Sequence, residues 1–303
     1  MRAIVATRIG GPEVLELQDV PVPELCLGQV LIKVHRAGVN FADLSSTQGK
    51  YAQAPPPPFV PGLEVSGHDQ SGRPVIAIVG SGGYAEYVKA DFAWDGEGLD
   101  LDDAAGYPMA GLTAFFALRH VGRLQPGETV LITAAAGGVG SSTIQVARAL
   151  GAGRVIGIAG SAEKQARAVK LGADVAIGYE DPIPGPVDVL VDLVGGDVFQ
   201  RAVDAMAPFG RMVCIGASSG QVQQIPGVGE LRVRGVGVLP FSMGALRARD
   251  PELFLKTSAE GIQLIRSGAV RPPIGHVFPL AEAAEAHRRL GSRATMGKLL
   301  LAI

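Results

Sequence analysis

The hydrophobic pattern changes texture twice along the chain. Over the first hundred residues, short Val- and Ile-rich runs (Met1–Thr7, Val14–Val20, Gln29–Ala37) alternate or cluster between Gly and Pro, which predicts strands and turns. A second such patch runs from Arg73 to Val88 around GSGG. The four prolines Pro55–Pro58 exclude a helix interior and predict an extended segment or rigid turn. Near residue 100, LDLDDAAGYPMAGLTAFFAL opens on carboxylates and becomes apolar, as a helix with an acidic N-terminus does. From Glu128 to about Leu239, strands and helices alternate. Strands are predicted at Thr129–Thr133, Arg154–Ile158, Val175–Ile177, Val187–Asp192, Gly210–Ile215 and Val233–Leu239. Helices are predicted at Gly138–Leu150, Ala162–Leu171 and Asp197–Met206, the first two stopped by Gly151 and Gly172. In the tail, Asp250-Pro251 supplies N-cap and N1 for a helix to Arg266, closed by Gly268. Arg271–Pro279 reads as extended, AEAAEAHRRL as a short helix ended by Gly291, and Lys298–Ala302 as a last strand.

A βαβ series in the middle implies a parallel sheet with helices on both faces. The fold class is therefore α/β: a Rossmann-type doubly wound sheet, expected over 108–247, set into a β-rich, partly open barrel. Residues 1–107 and the returning segment 248–303 are expected to build that barrel.

Composition narrows the function classes. With 47% hydrophobic and 18% charged residues over 303 positions, intrinsic disorder is excluded. The 42 glycines and 21 prolines show no G-X-Y period and point to many turns. A net charge of −2 gives no basic excess for nucleic acid. The two cysteines, Cys26 and Cys214, make neither a disulfide framework nor a four-cysteine zinc site. The N-terminus lacks the apolar stretch of a signal peptide. Thr129–Ala147 is uncharged, but its centre, AAAGGVGSST, suits no isolated membrane helix. A soluble, cytoplasmic protein is expected.

The chemistry is concentrated in TVLITAAAGGVGSSTIQVARALGA, residues 129–152. A buried strand runs into a glycine turn and a helix. In the G-x-G-x-x-G register the positions are Ala135, Gly137 and Gly140. Glycine at 137 lets the backbone approach a pyrophosphate, Gly140 allows close helix–strand packing, and the helix N-terminus supplies N–H groups. NAD sites place Asp or Glu about 20 residues further on. Here Gly160 stands there, followed by Ser161 and Lys164. No carboxylate repels a 2′-phosphate, Ser161 can donate a hydrogen bond and Lys164 a charge, so NADPH is favoured over NADH.

The chain resembles the medium-chain dehydrogenase/reductase superfamily, and most closely its zinc-free quinone oxidoreductase (zeta-crystallin-like) branch. The resemblance spans nearly the whole length. It rests on AGVNFADL at 37–44, the GKY ending at Tyr51, PGLEVSG at 61–67, GGYAEY at 82–87, AGLTAFFAL at 110–118, AAAGGVG at 134–140 and TMGKLLL at 295–301. It implies a GroES-like catalytic domain beside the Rossmann domain, and a homodimer, for which the apolar LRVRGVGVLPF offers a sheet edge. It places Asn40 and Asp43 by the nicotinamide and Tyr51 by the acceptor. Gly138 and Val139 fall on the pyrophosphate, and Gly160, Ser161 and Lys164 on the adenosine phosphate. Tyr179 lies beside the adenosine, Gly216, Ala217 and Ser218 near the nicotinamide ribose, and Phe241 and Lys298 close the cleft.

No metal is expected. The zinc-dependent relatives carry a cysteine near Ala37–Gly38 and a histidine where this chain has Leu63. His35, His68 and Glu64 are taken as surface or packing residues. The expected activity is metal-free hydride transfer from NADPH to a quinone or related electrophilic carbonyl compound. Reduction of an enone or enoyl thioester, or an NADPH-binding role with little turnover, are the alternatives. Two departures bear on the acceptor. Thr47 stands where the family often has arginine, and only four residues separate Gly67 from Gly72 where relatives carry a hairpin.

Overall fold

The computed structural model describes residues 1–303 and divides into two compact units, Met1–Ala110 with Pro272–Ile303, and Gly111–Arg271. In chain order the strands are β1 (Arg2–Ala6), β2 (Leu15–Asp19), β3 (Val30–Val39), β4 (Glu64–His68), β5 (Pro74–Ile78), β6 (Tyr87–Ala90) and β7 (Trp94–Asp95). Then come β8 (Thr129–Ile132), β9 (Arg154–Ile158), β10 (Val175–Ile177), β11 (Val187–Asp192), β12 (Met206–Cys214), β13 (Gly237–Pro240), β14 (Ile274–Pro279) and β15 (Lys298–Ala302).

The first unit is built around β3. Its sheet runs β14-β15-β3-β4-β5-β7, with β6 also pairing β3, and β1 and β2 form a separate ribbon. The order ends in two edges that do not pair with each other, so the sheet is open. β3 exchanges neighbours along its ten residues: Val30–Lys33 lie against β6 and Arg36–Val39 against β15. Ile32, Val34, Val65, Ala77, Val88, Leu299 and Leu301 converge on one core. Each of the Ile, Val and Leu side chains contributes about 1.5–3 kcal/mol by leaving water. The helix Ala283–Gly291 covers that core with Ala283, Ala286, His287 and Leu290, the 3.6-residue spacing of one helical face. Between β4 and β5 the chain turns in a few residues, because the Asp69 carboxylate accepts from the backbone of Ser71 and Arg73 and from both side chains.

In the second unit six parallel strands stand in the order β10-β9-β8-β11-β12-β13. This is the doubly wound Rossmann order, whose direction of winding reverses between β8 and β11. Leu131, Ile156, Val187, Leu190 and Met212 are fully buried, as strands covered on both faces must be.

Several expectations need correction. The chain leaves the second unit at Arg271, not at residue 247. The helix Pro251–Arg266 buries Phe254, Ser258, Gly261, Ile262 and Ile265 in that unit. Phe254 stacks on Phe116 at 5.7 Å, and a Cβ on Gly261 would stand 2.7 Å from Leu112, so the helix is locked in place. The expected last strand, Val233–Leu239, loses its start: Val233 and Arg234 end a helix, Val228–Arg234, that closes at Gly235 in the left-handed region. Only Gly237–Pro240 pairs with β12. The helix near residue 287 runs through Gly291 and turns at Arg293, with φ of 60°. Phe254→Ala, which empties a fully buried site, is expected to cost about 3–5 kcal/mol in urea unfolding. A loss below about 1 kcal/mol would contradict this docking.

Candidate functional site

The glycine turn after β8 forms as a nucleotide-binding turn requires. Gly137 is the N-cap of the helix Gly138–Ala149, and the first helical bond runs from Ser141 N–H to the Gly137 carbonyl. The N–H groups of Gly138, Val139 and Gly140 therefore precede the intrahelical ladder and form a ready anion site. A Cβ on Gly140 would lie 2.8 Å from Ala135 Cα, so any other residue would push the helix off the strand. The left-handed turn residue is Ala134, with φ of 50°, one position before the first alanine of the motif. At the end of β9, Ser161 caps the helix Ala162–Lys170 by accepting from Lys164 N–H at 3.3 Å. Gly160 is exposed, and the Tyr179 ring stands 3.5 Å from where its Cβ would be.

One group missed by the sequence reading organises the switch point. Asp192, fully buried at the end of β11, accepts from Thr133 Oγ1 (2.8 Å), Val194 N (3.2 Å), Gly195 N (3.0 Å) and Gln223 Nε2 (2.6 Å). Gln223 also donates to the Gly216 carbonyl at 2.7 Å, and Ser218 N–H donates to Leu193 O at 3.1 Å. The loop carrying Gly216, Ala217 and Ser218 is thus tied to the loop after β11. Phe241 follows β13, with its ring stacked on Phe116 at 5.9 Å. The available signal was an acid ending an apolar strand just before two glycines, VDLVGG.

The first unit brings together residues far apart in sequence. Asn40 is the N-cap of the helix Phe41–Thr47. Asp43 Oδ2 accepts from Asn40 N–H at 2.8 Å, the return half of a capping box. The Asn40 side chain also reaches outside the helix. Its Oδ1 accepts from Lys298 Nζ at 2.6 Å, and its Nδ2 donates to Glu64 Oε1 at 3.0 Å. Lys298 Nζ also reaches Glu64 Oε1 at 2.7 Å and Val39 O at 3.1 Å, so three acceptors meet its three protons. Glu64 Oε2 accepts from Met109 N–H at 2.7 Å. Glu64 is 0% and Lys298 4% exposed.

Behind this pair, Tyr84 donates to Asp43 Oδ2 at 3.2 Å and meets His287 Nε2 at 3.2 Å. All three side chains are buried. With the tyrosine proton on Asp43, the Nε2 proton of His287 completes the chain, and Nδ1 has no partner. Burial pushes the Asp43 carboxyl up to about 7, against the opposing pull of the Asn40 N–H and the Lys298 charge. Burial drives the Tyr84 hydroxyl well above its ordinary range, aided by the Asp43 charge, and holds His287 down to about 3.

These positions change several readings. Asp43 is 1% exposed and acts as a helix-capping and network residue. Lys298 has all three of its donors engaged inside the first unit. Glu64, expected at the surface or in packing, is a fully buried ion-pair partner. Asn40 is half-buried, and Tyr51 is half-buried in the turn after the helix Phe41–Thr47. Tyr84 and His287 were missed, although GGYAEY and AEAAEAHRRL hold them; no local pattern says that two such side chains meet.

An NAD(P)-binding parallel sheet, joined in one chain to a strand-rich unit holding a buried polar network, defines an oxidoreductase. Residues 27–94 match the alcohol dehydrogenase GroES-like domain, and 171–301 match the zinc-binding dehydrogenase family. Quinone oxidoreductase-like protein 2 of Bos taurus is 33% identical, covering 100% of this chain and 92% of its own. The quinone oxidoreductase of Thermus thermophilus, solved also in complex with NADPH, is 38% identical with a TM-score of 0.89 over 100% of both chains. The Escherichia coli quinone oxidoreductase, complexed with NADPH, is 31% identical with a TM-score of 0.87, again over 100% of both. The chain belongs to the medium-chain dehydrogenase/reductase superfamily, in its zinc-free quinone oxidoreductase-like family.

The zinc in one matched family's name does not suit these residues. No three His, Cys, Asp or Glu side chains gather anywhere in the chain. Both Glu64 oxygens are taken, and His35 bonds Asp102 at 2.9 Å. A Cβ on Gly38 would lie 2.6 Å from the Glu64 carboxyl carbon, leaving no room for a cysteine there. Burial pushes the Cys214 thiol up to about 12, so it holds its proton. No helix is long and apolar enough to cross a membrane.

Asp43 and His287 bend stability with pH in opposite senses. Asp43, with a raised pKa, stabilises most below its unfolded value near ~4, and this is lost as pH rises through about 7. His287, with a depressed pKa, stabilises fully above its unfolded value near ~6.5, and this is lost as pH falls toward about 3. Relative to wild type, Asp43→Asn is expected to gain stability as pH rises from about 4 to 7, and His287→Gln to lose it, in urea titrations. Parallel profiles for all three proteins would contradict both assignments.

Proposed function

We propose that this protein is an NADPH-dependent reductase that passes hydride to a quinone or a related electrophilic carbonyl compound without a metal. The observation that carries the reading is the end of β9, where Gly160, Ser161 and Lys164 stand in place of a carboxylate, in a chain whose relatives are quinone oxidoreductases. The N–H groups of Gly138, Val139 and Gly140 hold the pyrophosphate at the positive end of their helix. Ser161 and Lys164 hold the 2′-phosphate, and the Tyr179 ring lies against the adenosine. Gly216, Ala217 and Ser218 support the nicotinamide ribose, with Phe241 beside it. When bound, NADPH supplies the hydride. Asn40 orients the nicotinamide and the acceptor oxygen, and the Tyr51 hydroxyl hydrogen-bonds the acceptor. The rest of the acceleration is proximity. We also infer that the free edge of β13 pairs with a second copy across a two-fold axis, giving a homodimer.

NADPH oxidation assayed against quinones, enones and enoyl thioesters tests the reading, with fastest turnover expected on quinones. Preferential turnover of a C=C substrate would replace it with the enone or enoyl-thioester assignment, and tight NADPH binding without turnover would leave only a binding role. Lys164→Ala is expected to weaken NADPH about 10- to 100-fold, the loss of one charge-assisted contact, with little change for NADH. Gly160→Asp is expected to repel NADPH and improve relative use of NADH. Equal effects on both cofactors would overturn the phosphate-site assignment.

A further inference from the structure

We propose that Lys298 and Glu64 are positioning residues that lock the side-chain amide of Asn40 in one orientation, so that the same face of the amide always meets the bound reactants. The proposal rests on the reading of Asn40 as the residue that orients nicotinamide and acceptor. A carboxamide is symmetric in shape, and a free one flips between two orientations of nearly equal energy. This one is held between opposite charges. The Lys298 ammonium donates to Oδ1 at 2.6 Å, and Glu64 Oε1 receives Nδ2 at 3.0 Å. A flipped amide would turn its NH2 toward an ammonium and its oxygen toward a carboxylate. Both contacts would be repulsive, at sites 4% and 0% exposed, where solvent screens little.

Charge also polarises what remains. The ammonium draws electron density toward Oδ1, and the carboxylate strengthens the N–H it accepts, so the two bonds reinforce each other. One Nδ2 proton is committed to Glu64, while the other has only the Gly38 carbonyl at 3.4 Å. That second N–H is the group Asn40 can offer a ligand, with its direction already set. The sheet enforces the placement. Leu299 pairs with Val39 and Leu300 with Gly38, and continuing that register sets Lys298 against Asn40. Ala37 pairs with Val65, so Glu64 falls opposite Gly38. The bare Gly38 backbone gives the Glu64 carboxylate its room.

The test uses the intact protein. Lys298→Met alone would strand a buried carboxylate and threaten folding, so it is combined with Glu64→Gln, which keeps the site neutral. The double variant is expected to lose about 10- to 100-fold in kcat for quinone reduction, as misplaced reacting groups do, while NADPH Kd stays within about twofold. Adding both changes to Asn40→Ala is expected to cost nothing further, because the pair acts only through that amide. An additive loss, or a double variant as fast as wild type, would overturn the proposal, as would an Asn40→Ala variant with full kcat. A second readout needs no turnover. The Asn40 side-chain NH2 signal, identified by its loss in Asn40→Ala, is expected to exchange with solvent at least about tenfold faster in the double variant. Unchanged exchange would overturn the lock. Accelerated exchange in a protein that reduces no acceptor would uphold the lock and place the failure on the proposed reaction.

Discussion

A buried ion pair holds the ends of three strands together. Lys298 opens β15, Glu64 opens β4, Val39 closes β3 and Asn40 follows it, and one ammonium touches all of them. Taking two charges out of water costs several kcal/mol each, and only complete pairing offsets that. Here pairing is complete on the lysine, and both carboxylate oxygens of Glu64 are occupied. Because side chains alternate across a sheet, a one-residue slip of β15 would turn Lys298 away and leave the carboxylate buried and unpaired. The pair therefore penalises wrong register more than it stabilises the right one.

The two units treat a buried acid differently. Asp192 is met by four donors from three segments, which fixes the loops beyond β11 and β12 around its carboxylate. Asp43 has fewer donors, a full burial cost and another acid nearby in Glu64, so its proton is held close to neutrality. The first arrangement makes a rigid platform of the loops, and the second leaves a titratable group next to Asn40.

Elements whose cues are local were legible in the sequence. The strand, turn and helix at 129–149, the Asp250-Pro251 helix start and the final strand Lys298–Ala302 all follow from apolar runs, caps and glycine stops. The nucleotide-side candidates followed from the same cues, since a glycine turn and the residue after the second strand lie close in sequence. Placement of the helix Pro251–Arg266 was not legible, because its apolar face does not name the surface it covers. The start of the strand expected at Val233–Leu239 misled because its β-branched residues continue the pattern, whereas Val233 and Arg234 end a short helix closed by Gly235. The Lys298, Glu64 and Asn40 cluster and the Tyr84, His287 and Asp43 cluster were invisible for one reason. Each is assembled by pairing across sheet and helix, and sequence separations such as 203 and 258 carry no periodic signal.

The interleaving of the units sets an order on synthesis. Gly111–Arg271 is one uninterrupted stretch and has every strand of its sheet once it leaves the ribosome. The other unit lacks β15, an interior strand of its sheet, until long after β3 and β4 exist. Glu64 and Lys298 are 234 positions apart, roughly ten to fifty seconds of elongation. Through that interval the β3 edge has no neighbour over Arg36–Val39 and Glu64 has no cation. The half-built sheet is then the part of the nascent chain with most need of a chaperone, and the arrival of Lys298 is the event that ends that need.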